Sequence, residues 1–414
     1  MTETAEVAVL GAGVVGLAIA LRLARAGREV ALVDPAPPGS GASWGNAGTI
    51  ADYAVMPVGT PEVLRALPRL LFDRNSPLTI RRAALPTLAP WLLRFARQSL
   101  PAAARRNAEA LARLVGDAAP RWRELAAEAG AAALMRQDGA LYLYDSTAAL
   151  AAARADMTER RRLGVTVELL GAAELSRLEP ALPNLAGAAF FPNTLFTTDP
   201  GRLVGALAEA AQAAGVRLIA ARAERLDRVG GGLRLSCQGA AGPVQIAAHR
   251  AVIAAGAHSR RLAAQGGDRV PLDTERGYHL EWDMAAPRLS RPACPTWRGF
   301  YLCPMAGRLR AAGTVELGGL SAPPSPHRLA RIEAGARALL PDLAAPDRSW
   351  MGFRPSMPDS LPVIGPSRAG AEVLHAYGHG HIGLTLAPVT AALIEGWIAG
   401  RPPAGFEAVL PSRF

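Results

Sequence analysis

Three glycines and one aspartate near the start of the chain have the types and spacing of a phosphate-binding turn. Gly11, Gly13 and Gly16 form a GxGxxG pattern, and Asp34 follows them at the end of the next apolar run. Bare backbone at these positions permits a tight turn, the approach of a pyrophosphate and close helix–sheet packing, while the carboxylate can accept hydrogen bonds from a ribose diol. The pattern predicts dinucleotide binding, with FAD and NAD both compatible. The alternative is a glycine-rich turn in an unrelated α/β protein.

The elements that such a turn needs surround it. Residues 7–10 form an apolar run typical of a strand buried on both faces, and an alanine-rich helix follows and ends at Gly27. Residues 29–33 form a second strand that ends at Asp34. The helix N-terminus would present free N–H groups and partial positive charge to phosphates. These elements favour the dinucleotide interpretation.

Two further segments carry residues that could do chemistry. Residues 35–50 are rich in glycine, serine and proline, and predict either a surface loop or a segment that lies along a flavin and donates hydrogen bonds from its backbone and Ser43. Residues 378–383 read GHGHIG. Two histidines would suggest a metal, but the carboxylates and cysteines that usually complete such a site are not nearby. The sequence therefore predicts no metal site.

The rest of the chain indicates two kinds of domain. Residues 250–256 (RAVIAAG) predict a buried strand that returns to the first sheet, whereas residues 270–320 alternate in the manner of antiparallel strands. Helical apolar spacing dominates residues 57–135. We therefore predict an α/β fold: a Rossmann-type domain with a parallel sheet, and an α+β substrate domain with an antiparallel sheet. The predicted boundaries are 1–56, 140–265 and 346–414 for the first domain, and 57–139 and 266–345 for the second.

Composition excludes several classes of function. The 414 residues include 45 basic residues, all arginine, and the net charge is +10. Without lysine there is no Schiff-base lysine and no Walker A lysine, so the usual pyridoxal-phosphate enzymes and P-loop NTPases are excluded. The arginines are scattered and lack interleaved aromatics, so nucleic-acid binding is not predicted.

Compartment and membrane contact are also constrained. Three cysteines without a CxxC motif argue for a reducing compartment, and the default is cytoplasmic. No uninterrupted apolar run reaches membrane-spanning length, and the apolar N-terminus lacks the basic start of a signal peptide. Residues 85–100 have apolar and basic faces. They predict either a helix at a membrane interface or an ordinary core-facing helix.

Motifs spread over nearly the whole chain resemble those of the D-amino-acid oxidase/dehydrogenase superfamily of FAD-dependent, glutathione-reductase-2-like flavoproteins. The resemblance is strongest to D-amino-acid dehydrogenases, with glycine and sarcosine oxidases as cousins. Besides the glycine fingerprint, the matching motifs are SWGNAG (43–48), RAVIAAGAHS (250–259), ERGYH (275–279), GFYLCP (299–304), GTVE (313–316), GFRPSMPDSLPVIG (352–365) and GHGHIGLTLAP (378–388). The ERGYH motif is similar to the branch that includes D-proline and hydroxyproline dehydrogenases.

The resemblance implies FAD as cofactor and an amino acid as substrate. It implies that Arg354 of GFRP pairs with the substrate carboxylate, in keeping with the bidentate geometry of arginine. It also places a substrate-contacting tyrosine at Tyr301. Tyr278 and His279 are further candidates, but alternation along a strand places them on opposite faces, so we expect only one of them to reach the site.

The cofactor contacts implied by the resemblance come from four segments. In the 378–384 loop, backbone N–H groups and a helix N-terminus would stabilise negative charge on the reduced flavin. The predicted cofactor-binding residues are Gly11, Gly13, Gly16, Asp34, Ser43, Asn46, Ala47, Gly48, Ala255, Gly256, Gly378, Gly380, His381, Ile382, Gly383 and Leu384.

The resemblance leaves three functional hypotheses. The first is a D-amino-acid dehydrogenase, with a cyclic substrate such as D-proline or hydroxy-D-proline as the narrower form. It would transfer hydride from Cα to flavin N5 and pass electrons to a quinone or other respiratory carrier. Peripheral contact of the protein with the inner membrane is compatible with this acceptor. The second is an oxidase of glycine or N-methyl amino acids, and the third is a flavoprotein subunit of a larger complex. Sarcosine-oxidase-like relatives use a lysine near the flavin to react with oxygen. This chain has none, which favours a carrier.

Overall fold

Two large sheets and eleven α-helices organise the described part of the chain. The computed structural model describes residues 2–72, 78–182 and 184–414. Residues 73–77, inside the predicted substrate domain, lie outside the described residues, as do residues 1 and 183. The strands are β1 (Thr2–Leu10), β2 (Val30–Asp34), β3 (Thr49–Ile50), β4 (Leu78–Ile80), β5 (Met135–Arg136), β6 (Ala140–Tyr144), β7 (Glu168–Gly171), β8 (Gly187–Phe191), β9 (Leu195–Thr197), β10 (Arg217–Val229), β11 (Gly232–Gly239), β12 (Gly242–Ile253), β13 (Asp273–Asp283), β14 (Ala293–Pro295), β15 (Phe300–Met305), β16 (Arg308–Leu317), β17 (Arg348–Ser356), β18 (Val363–Ser367) and β19 (Gly370–Tyr377).

The helices of the described chain fall mainly between these strands. They are α1 (Val14–Arg25), α2 (Pro61–Phe72), α3 (Leu85–Gln98), α4 (Pro101–Gly116), α5 (Ala118–Glu128), α6 (Thr147–Arg162), α7 (Ala172–Leu178), α8 (Pro200–Ala213), α9 (Ser259–Gln265), α10 (Pro326–Leu339) and α11 (Gly383–Ile398).

The first sheet has seven strands around a parallel centre. Strand β1 lies between β2 and β12, so that Val7 is opposite Val30 on one side and Arg250 on the other. Strand β12 also pairs in parallel with β19, which confirms that the 250–256 segment returns to the first sheet. Strands β10, β11 and β12 continue as an antiparallel meander. The parallel centre places the carboxyl ends of β1 and β2 together, as the predicted glycine turn requires.

The second sheet has nine strands and is mainly antiparallel. Its order is β17-β13-β16-β15-β14-β6-β8-β7, and β4 pairs with β16 off this path. Only the β14–β6 and β16–β4 pairs in this sheet are parallel among the described strands. The predicted α/β class, with one Rossmann-type sheet and one antiparallel sheet, is therefore confirmed.

The predicted domain boundaries need correction in two places. Strands β6, β7 and β8, between residues 140 and 191, were assigned to the cofactor domain but belong to the second sheet. Strand β17, which carries residues 348–356, also belongs there and pairs with β13. The error arose because a strand's own sequence shows its period but does not show which sheet it joins.

Within the described part of the chain, one helix is long and apolar enough to cross a membrane by length and composition alone, although His381 and Glu395 interrupt its apolar run. It spans Gly380–Ile398, and 67% of the residues in its most apolar window are buried within the protein. Most of this segment is α11, which packs against α1. Burial of this extent is typical of the core helix of a globular domain.

Helix α3 has one buried face and one exposed face. Leu88, Trp91 and Phe95 recur at helical spacing and are buried, as a core-facing helix requires. Leu85 and Leu93 are exposed instead. The helix predicted over residues 85–100 is therefore present and faces the core on one side, while its outer face stays apolar in part.

Candidate active site

A cavity of about 1550 Å³ is lined by residues of both large sheets. Pockets for a single small molecule usually measure roughly 300–1,000 Å³, so this cavity has room for more than one such ligand. At one end it meets the glycine turn after β1, and elsewhere it is floored by β13, β15, β16 and β17. A dinucleotide and a substrate can therefore share it.

The glycine turn at one end of the cavity is too tight for side chains at two positions. Gly11 has φ +115°, and a Cβ there would lie 2.5 Å from the Ala254 carbonyl oxygen. A Cβ on Gly16 would lie 1.8 Å from the Gly11 carbonyl oxygen. Gly13 precedes α1 and lines the cavity with the first residues of that helix. The turn thus has the roles predicted for it: a tight bend, an open approach and close helix packing.

Asp34 lies at the carboxyl end of β2 and lines the cavity. Its Oδ2 accepts a hydrogen bond from the Ala12 N–H at 2.8 Å, and its Oδ1 accepts one from the Ala36 N–H at 2.9 Å. A carboxylate has about four lone-pair sites, so two acceptor sites remain for ribose hydroxyls. The position is that predicted for the ribose-binding acid.

The 43–48 loop is tied to the helix N-terminus and to the second sheet. The Ser43 hydroxyl accepts a hydrogen bond from the Val14 N–H at 3.0 Å. The buried Arg310 donates to the carbonyl oxygens of Trp44 and Asn46. Ser43, Asn46 and the intervening backbone line the cavity. The position of this loop therefore agrees with the predicted segment along a flavin better than with an ordinary surface loop.

His279 supports this loop from behind. Its Nδ1 lies 3.1 Å from the Gly45 carbonyl oxygen, and its ring stacks on Trp350 with centroids 5.1 Å apart. Since a carbonyl only accepts, Nδ1 carries the hydrogen. Burial first, and then the charge of Arg310, lower the pKa of His279 to about 4, so that the ring is neutral near pH 7. The expectation that His279 contacts substrate needs correction, because it is not among the cavity-lining residues.

Arg354 on β17 presents a guanidinium to the cavity. Its Nη1 donates to the Thr314 carbonyl oxygen at 2.9 Å. Within residues 2–72, 78–182 and 184–414, no carboxylate oxygen lies within 4.0 Å of it. Glu275 lies opposite Arg354 in the strand register. Burial lowers the pKa of Arg354, and the charge of Glu275 offsets part of this shift. The arginine keeps donors available for an anionic group.

Three tyrosines form a chain of hydroxyls next to the cavity. The Tyr53 hydroxyl donates to that of Tyr301 at 3.1 Å, and Tyr301 donates to Tyr142 at 3.4 Å. Tyr53 and Tyr301 both line the cavity, and substrate contact by Tyr301 stays a prediction. Burial raises the pKa of all three phenols, so they remain protonated and can donate hydrogen bonds. Tyr53 and Tyr142 were not predicted, because no motif surrounds them.

Tyr278 lines the cavity, but its hydroxyl has partners within the protein. Its ring belongs to the apolar cluster between the second sheet and α10, which includes Ile332 and Ala336. Its hydroxyl donates to Glu316 and accepts from the Ser325 N–H. As predicted, the two side chains lie on opposite faces of β13. Tyr278 packs with residues of α10, whereas His279 contacts the Gly45 carbonyl oxygen of the 43–48 loop. Of the two residues, Tyr278 lines the cavity and His279 does not, so substrate contact by one of them stays a prediction, for Tyr278.

The loop before α11 closes the cavity on the remaining side. Gly380, His381, Gly383 and Leu384 line it, and α11 begins at Gly383, so the helix N-terminus is at the cavity wall. His381 is exposed to the cavity, where desolvation by the surrounding protein first, and then the charge of Arg354, lower its pKa to about 4. Such a helix terminus stabilises negative charge.

The other predicted cofactor residues divide into two groups. Ala47, Ala255 and Gly256 line the cavity. The remaining ones pack behind its wall: Gly16, Gly48, Gly378 and Ile382. Among the described residues there is no group of three or more histidines, cysteines or carboxylates that could hold a metal.

These observations fit FAD. Cβ atoms would collide at Gly11 and Gly16, an acid with free acceptor sites follows β2, and the cavity continues to a second sheet where Arg354 and Tyr301 face it. Asp34 and the residues 11–15 would hold the adenosine and pyrophosphate portions, and the 43–48 and 380–384 segments would flank the flavin.

Comparison with known proteins agrees with this assignment. Residues 6–397 match the FAD-dependent oxidoreductase family. A D-amino-acid oxidase from Bradyrhizobium diazoefficiens is 36% identical over 97% of both chains. A D-amino acid dehydrogenase from Rhizorhabdus wittichii is 31% identical over 96% of this chain and 97% of the relative.

A solved structure shows the same fold along the whole chain. Glycine oxidase from Geobacillus kaustophilus is 25% identical, with a TM-score of 0.77 over 100% of this chain and 99% of that one. The fold and the cavity thus define a flavin-dependent oxidoreductase. The chain belongs to the FAD-dependent oxidoreductase family, and FAD is its cofactor.

Proposed function

We propose that the protein oxidises the Cα–N bond of a D-amino acid to the imino acid. The observation that carries this proposal is Arg354, a cation at the cavity without a carboxylate within 4.0 Å among the described residues. The nearby charge of Glu275 offsets only part of the desolvation of this guanidinium, and a ligand anion would add direct hydrogen bonds to it. The relatives named as D-amino-acid oxidase and D-amino acid dehydrogenase support the substrate class.

Each polar group at the second sheet has a defined task in this proposal. FAD, when bound, accepts the hydride from Cα. Arg354 holds the substrate carboxylate, and the hydroxyls of Tyr301 and Tyr53 orient the remainder of the substrate. Fixing the reacting carbon in this way is chiefly a positioning effect. No side chain must act as a base if the amine arrives neutral, and the imino acid would hydrolyse in water after release.

A cyclic substrate, D-proline or hydroxy-D-proline, is the narrower form of the proposal. It is supported by the ERGYH motif at residues 275–279. Within this motif Glu275 lies opposite Arg354, Tyr278 lines the cavity and His279 contacts the 43–48 loop, so the motif alone does not define a side-chain pocket. An acyclic D-amino acid remains the direct alternative.

A quinone or another respiratory carrier is the proposed electron acceptor. It is supported by the complete absence of lysine from the chain. The relatives are named both oxidase and dehydrogenase. The alternative function is therefore an oxidase of glycine or N-methyl amino acids that uses oxygen. Hydrogen peroxide formed in equal amount to substrate consumed would favour the oxidase.

Anaerobic reduction of the flavin tests the proposal. We would add D- and L-amino acids singly, including both enantiomers of proline and hydroxyproline, and follow the visible absorbance of the purified protein. The proposal predicts bleaching by D-forms at least tenfold faster than by L-forms. Equal rates for both enantiomers would contradict the stereochemical part. No bleaching by any amino acid would leave a different amine or a role as a subunit of a larger complex.

A cytoplasmic protein with peripheral contact to the inner membrane is the proposed setting. The exposed Leu85 and Leu93 on α3, with the exposed Arg94 and Arg97, support a weak interfacial contact. Flotation with anionic vesicles checks this, and a Leu93→Glu variant should float less. Recovery of all protein in the soluble fraction, with and without vesicles, would contradict it.

A further inference from the structure

Strands β13 and β16 change register at a bulge next to Arg354. Arg276 pairs with Glu316 and Tyr278 pairs with Gly313, so Gly277 on β13 stands opposite two residues of β16, Thr314 and Val315. All three residues line the cavity. Bulges bend a strand and change the direction of its groups, and they are frequent beside active sites.

Thr314 has a conformation that its residue type disfavours. Its φ is +55°, in the left-handed region where a β-branched residue is a genuine outlier. Its buried hydroxyl has no hydrogen-bond partner among the described residues, so the side chain does not explain the conformation. The backbone does, because the Thr314 carbonyl accepts from Arg354 Nη1 at 2.9 Å and its N–H donates to the Gly299 carbonyl oxygen at 2.8 Å.

Gly277, on the other side of the bulge, leaves room for the same guanidinium. A Cβ at this position would lie 2.4 Å from Arg354 Nη2 and 2.5 Å from its Cζ. The three atoms that it would approach most closely all belong to Arg354. The φ of Gly277 lies outside the left-handed region, so alanine is compatible with its backbone. The missing side chain is therefore required by the guanidinium and not by the strand conformation.

The bulge is also fixed by Glu316 on β16, which does not line the cavity. Glu316 accepts a hydrogen bond from Arg276 Nη1 at 3.0 Å and another from the Tyr278 hydroxyl. These two residues flank Gly277 in sequence. The Glu316 carboxylate thereby holds the backbone on both sides of the glycine in one register.

We propose that Gly277 and Thr314 position Arg354 for the substrate carboxylate. The bare backbone of Gly277 and the redirected carbonyl of Thr314 hold the guanidinium from two sides, so that its other N–H groups face the cavity. This deepens the proposed function and rests on it. Neither residue is catalytic, because each acts through the guanidinium.

The variant Gly277→Ala tests this inference without removing the cation. It should displace the guanidinium and raise the KM for the best amino acid about tenfold or more, while kcat changes less than threefold. The dissociation constant of propionate, a carboxylate without an amine, should rise by the same factor when followed by the flavin spectrum. FAD content and Tm should stay those of the unsubstituted protein.

The double variant Gly277→Ala/Arg354→Met separates positioning from simple narrowing of the cavity. If Gly277 acts through Arg354, alanine should have no further effect on propionate binding once the guanidinium is gone. An equal effect in both backgrounds would overturn the inference. If Gly277→Ala alone fails to fold but the double variant folds, the guanidinium is confirmed as the group that Gly277 accommodates. If both fail to fold, the glycine serves the sheet itself and the inference is overturned.

These outcomes are distinguishable from failure of the proposed function. Unsubstituted protein that is reduced by amino acids and binds propionate, together with a Gly277→Ala variant that does both equally well, contradicts only the positioning role. Unsubstituted protein that binds no carboxylate and is reduced by no amino acid contradicts the proposed function and, with it, this inference.

Discussion

The cofactor end and the substrate end of the cavity are built on different principles. At the cofactor end, the important positions are glycines whose backbone must bend or approach closely, as at Gly11 and Gly16. At the substrate end, side chains from separate strands meet because of sheet register. Arg354 and Tyr301 are far apart in sequence, yet both line the same cavity.

This difference affects how tolerant each end is to change. The glycine turn is local, so a fault there disturbs one strand–helix unit and the cofactor together. The substrate end depends on the pairing of β13, β15, β16 and β17, and we expect single changes of its cavity-facing side chains to leave the fold intact. Variants at the two ends should therefore separate loss of flavin from loss of substrate recognition.

The largest effect is expected from Arg354→Met. Loss of the cationic partner of a charged ligand group costs about 2–5 kcal/mol, which is about 30- to 4,000-fold in kcat/KM. FAD content should not change, because Arg354 lies at the other end. Arg348→Met, on the same strand but outside the cavity, is the matched control and should retain activity. If Arg354→Met retains activity, Arg354 does not recognise the substrate, and the proposed separation of substrate recognition from flavin binding is contradicted.

A pair of glycine variants should sharpen the description of the cofactor end. A Cβ on Gly16 would lie 1.8 Å from a backbone oxygen, so Gly16→Ala should displace α1 and lower Tm, with a cost of about 1–3 kcal/mol or more. The nearest atom to a Cβ on Gly13 is the Ser43 Oγ at 3.4 Å, and its φ of −73° suits alanine. Gly13→Ala should thus fold normally but bind FAD more weakly. Identical behaviour of both variants in thermal melts and flavin titrations would contradict these separate roles.

The stability of the protein should decrease as the pH falls below about 6.5. Burial lowers the pKa of His379 to about 3, and burial with the charge of Arg310 lowers that of His279 to about 4. Between these values and the ordinary value, the unfolded chain binds protons that the folded chain does not, so lower pH favours unfolding. Each such histidine contributes a slope of about 1.4 kcal/mol per pH unit.

Substitution of one buried histidine should reduce this slope. His379→Gln should flatten the dependence of the unfolding free energy on pH between 6.5 and 4, as measured by denaturant titration. His249→Gln, at an exposed position, is the control and should leave it unchanged. An unchanged slope in His379→Gln would show that other groups dominate acid unfolding.

The smallest effect is expected at the tyrosine chain. Tyr301→Phe removes a neutral hydrogen bond worth about 0.5–1.5 kcal/mol, so kcat/KM should fall by about 2- to 12-fold. Because burial raises the pKa of Tyr301 well above its ordinary value, its ionisation should not appear in the rate profile between pH 6 and 9. Tyr144→Phe, outside the cavity, should have no effect. A loss above 100-fold would assign Tyr301 a larger role than orientation.

The structure of the cofactor end could be predicted from the sequence because it depends on residues that are close together in the chain. The spacing of Gly11, Gly13, Gly16 and Asp34 predicts a turn, and the turn is present with an acid at the end of β2. The sequence was insufficient for the substrate end. Tyr278 and His279 follow one another in a motif, but the pairing of β13 directs the first toward α10 and the second behind the 43–48 loop.

Contacts between distant segments account for the other differences. Tyr53 joins Tyr301 through a hydroxyl contact across 248 residues, which no local pattern could indicate. The bulge at Gly277 depends on the register of two strands and on Glu316. The sheet that β6, β7 and β8 join was likewise decided by partners far away in sequence.

The most direct test of the account compares an amino acid with the amine that lacks its carboxylate. Anaerobic flavin reduction should be followed with D-alanine and with ethylamine, and with D-proline and pyrrolidine. If Arg354 recognises the carboxylate at the substrate end, the amino acids should reduce the flavin and the amines should react at least 100-fold more slowly. Amines that bleach the flavin as fast as the amino acids would contradict carboxylate recognition and the proposed function with it.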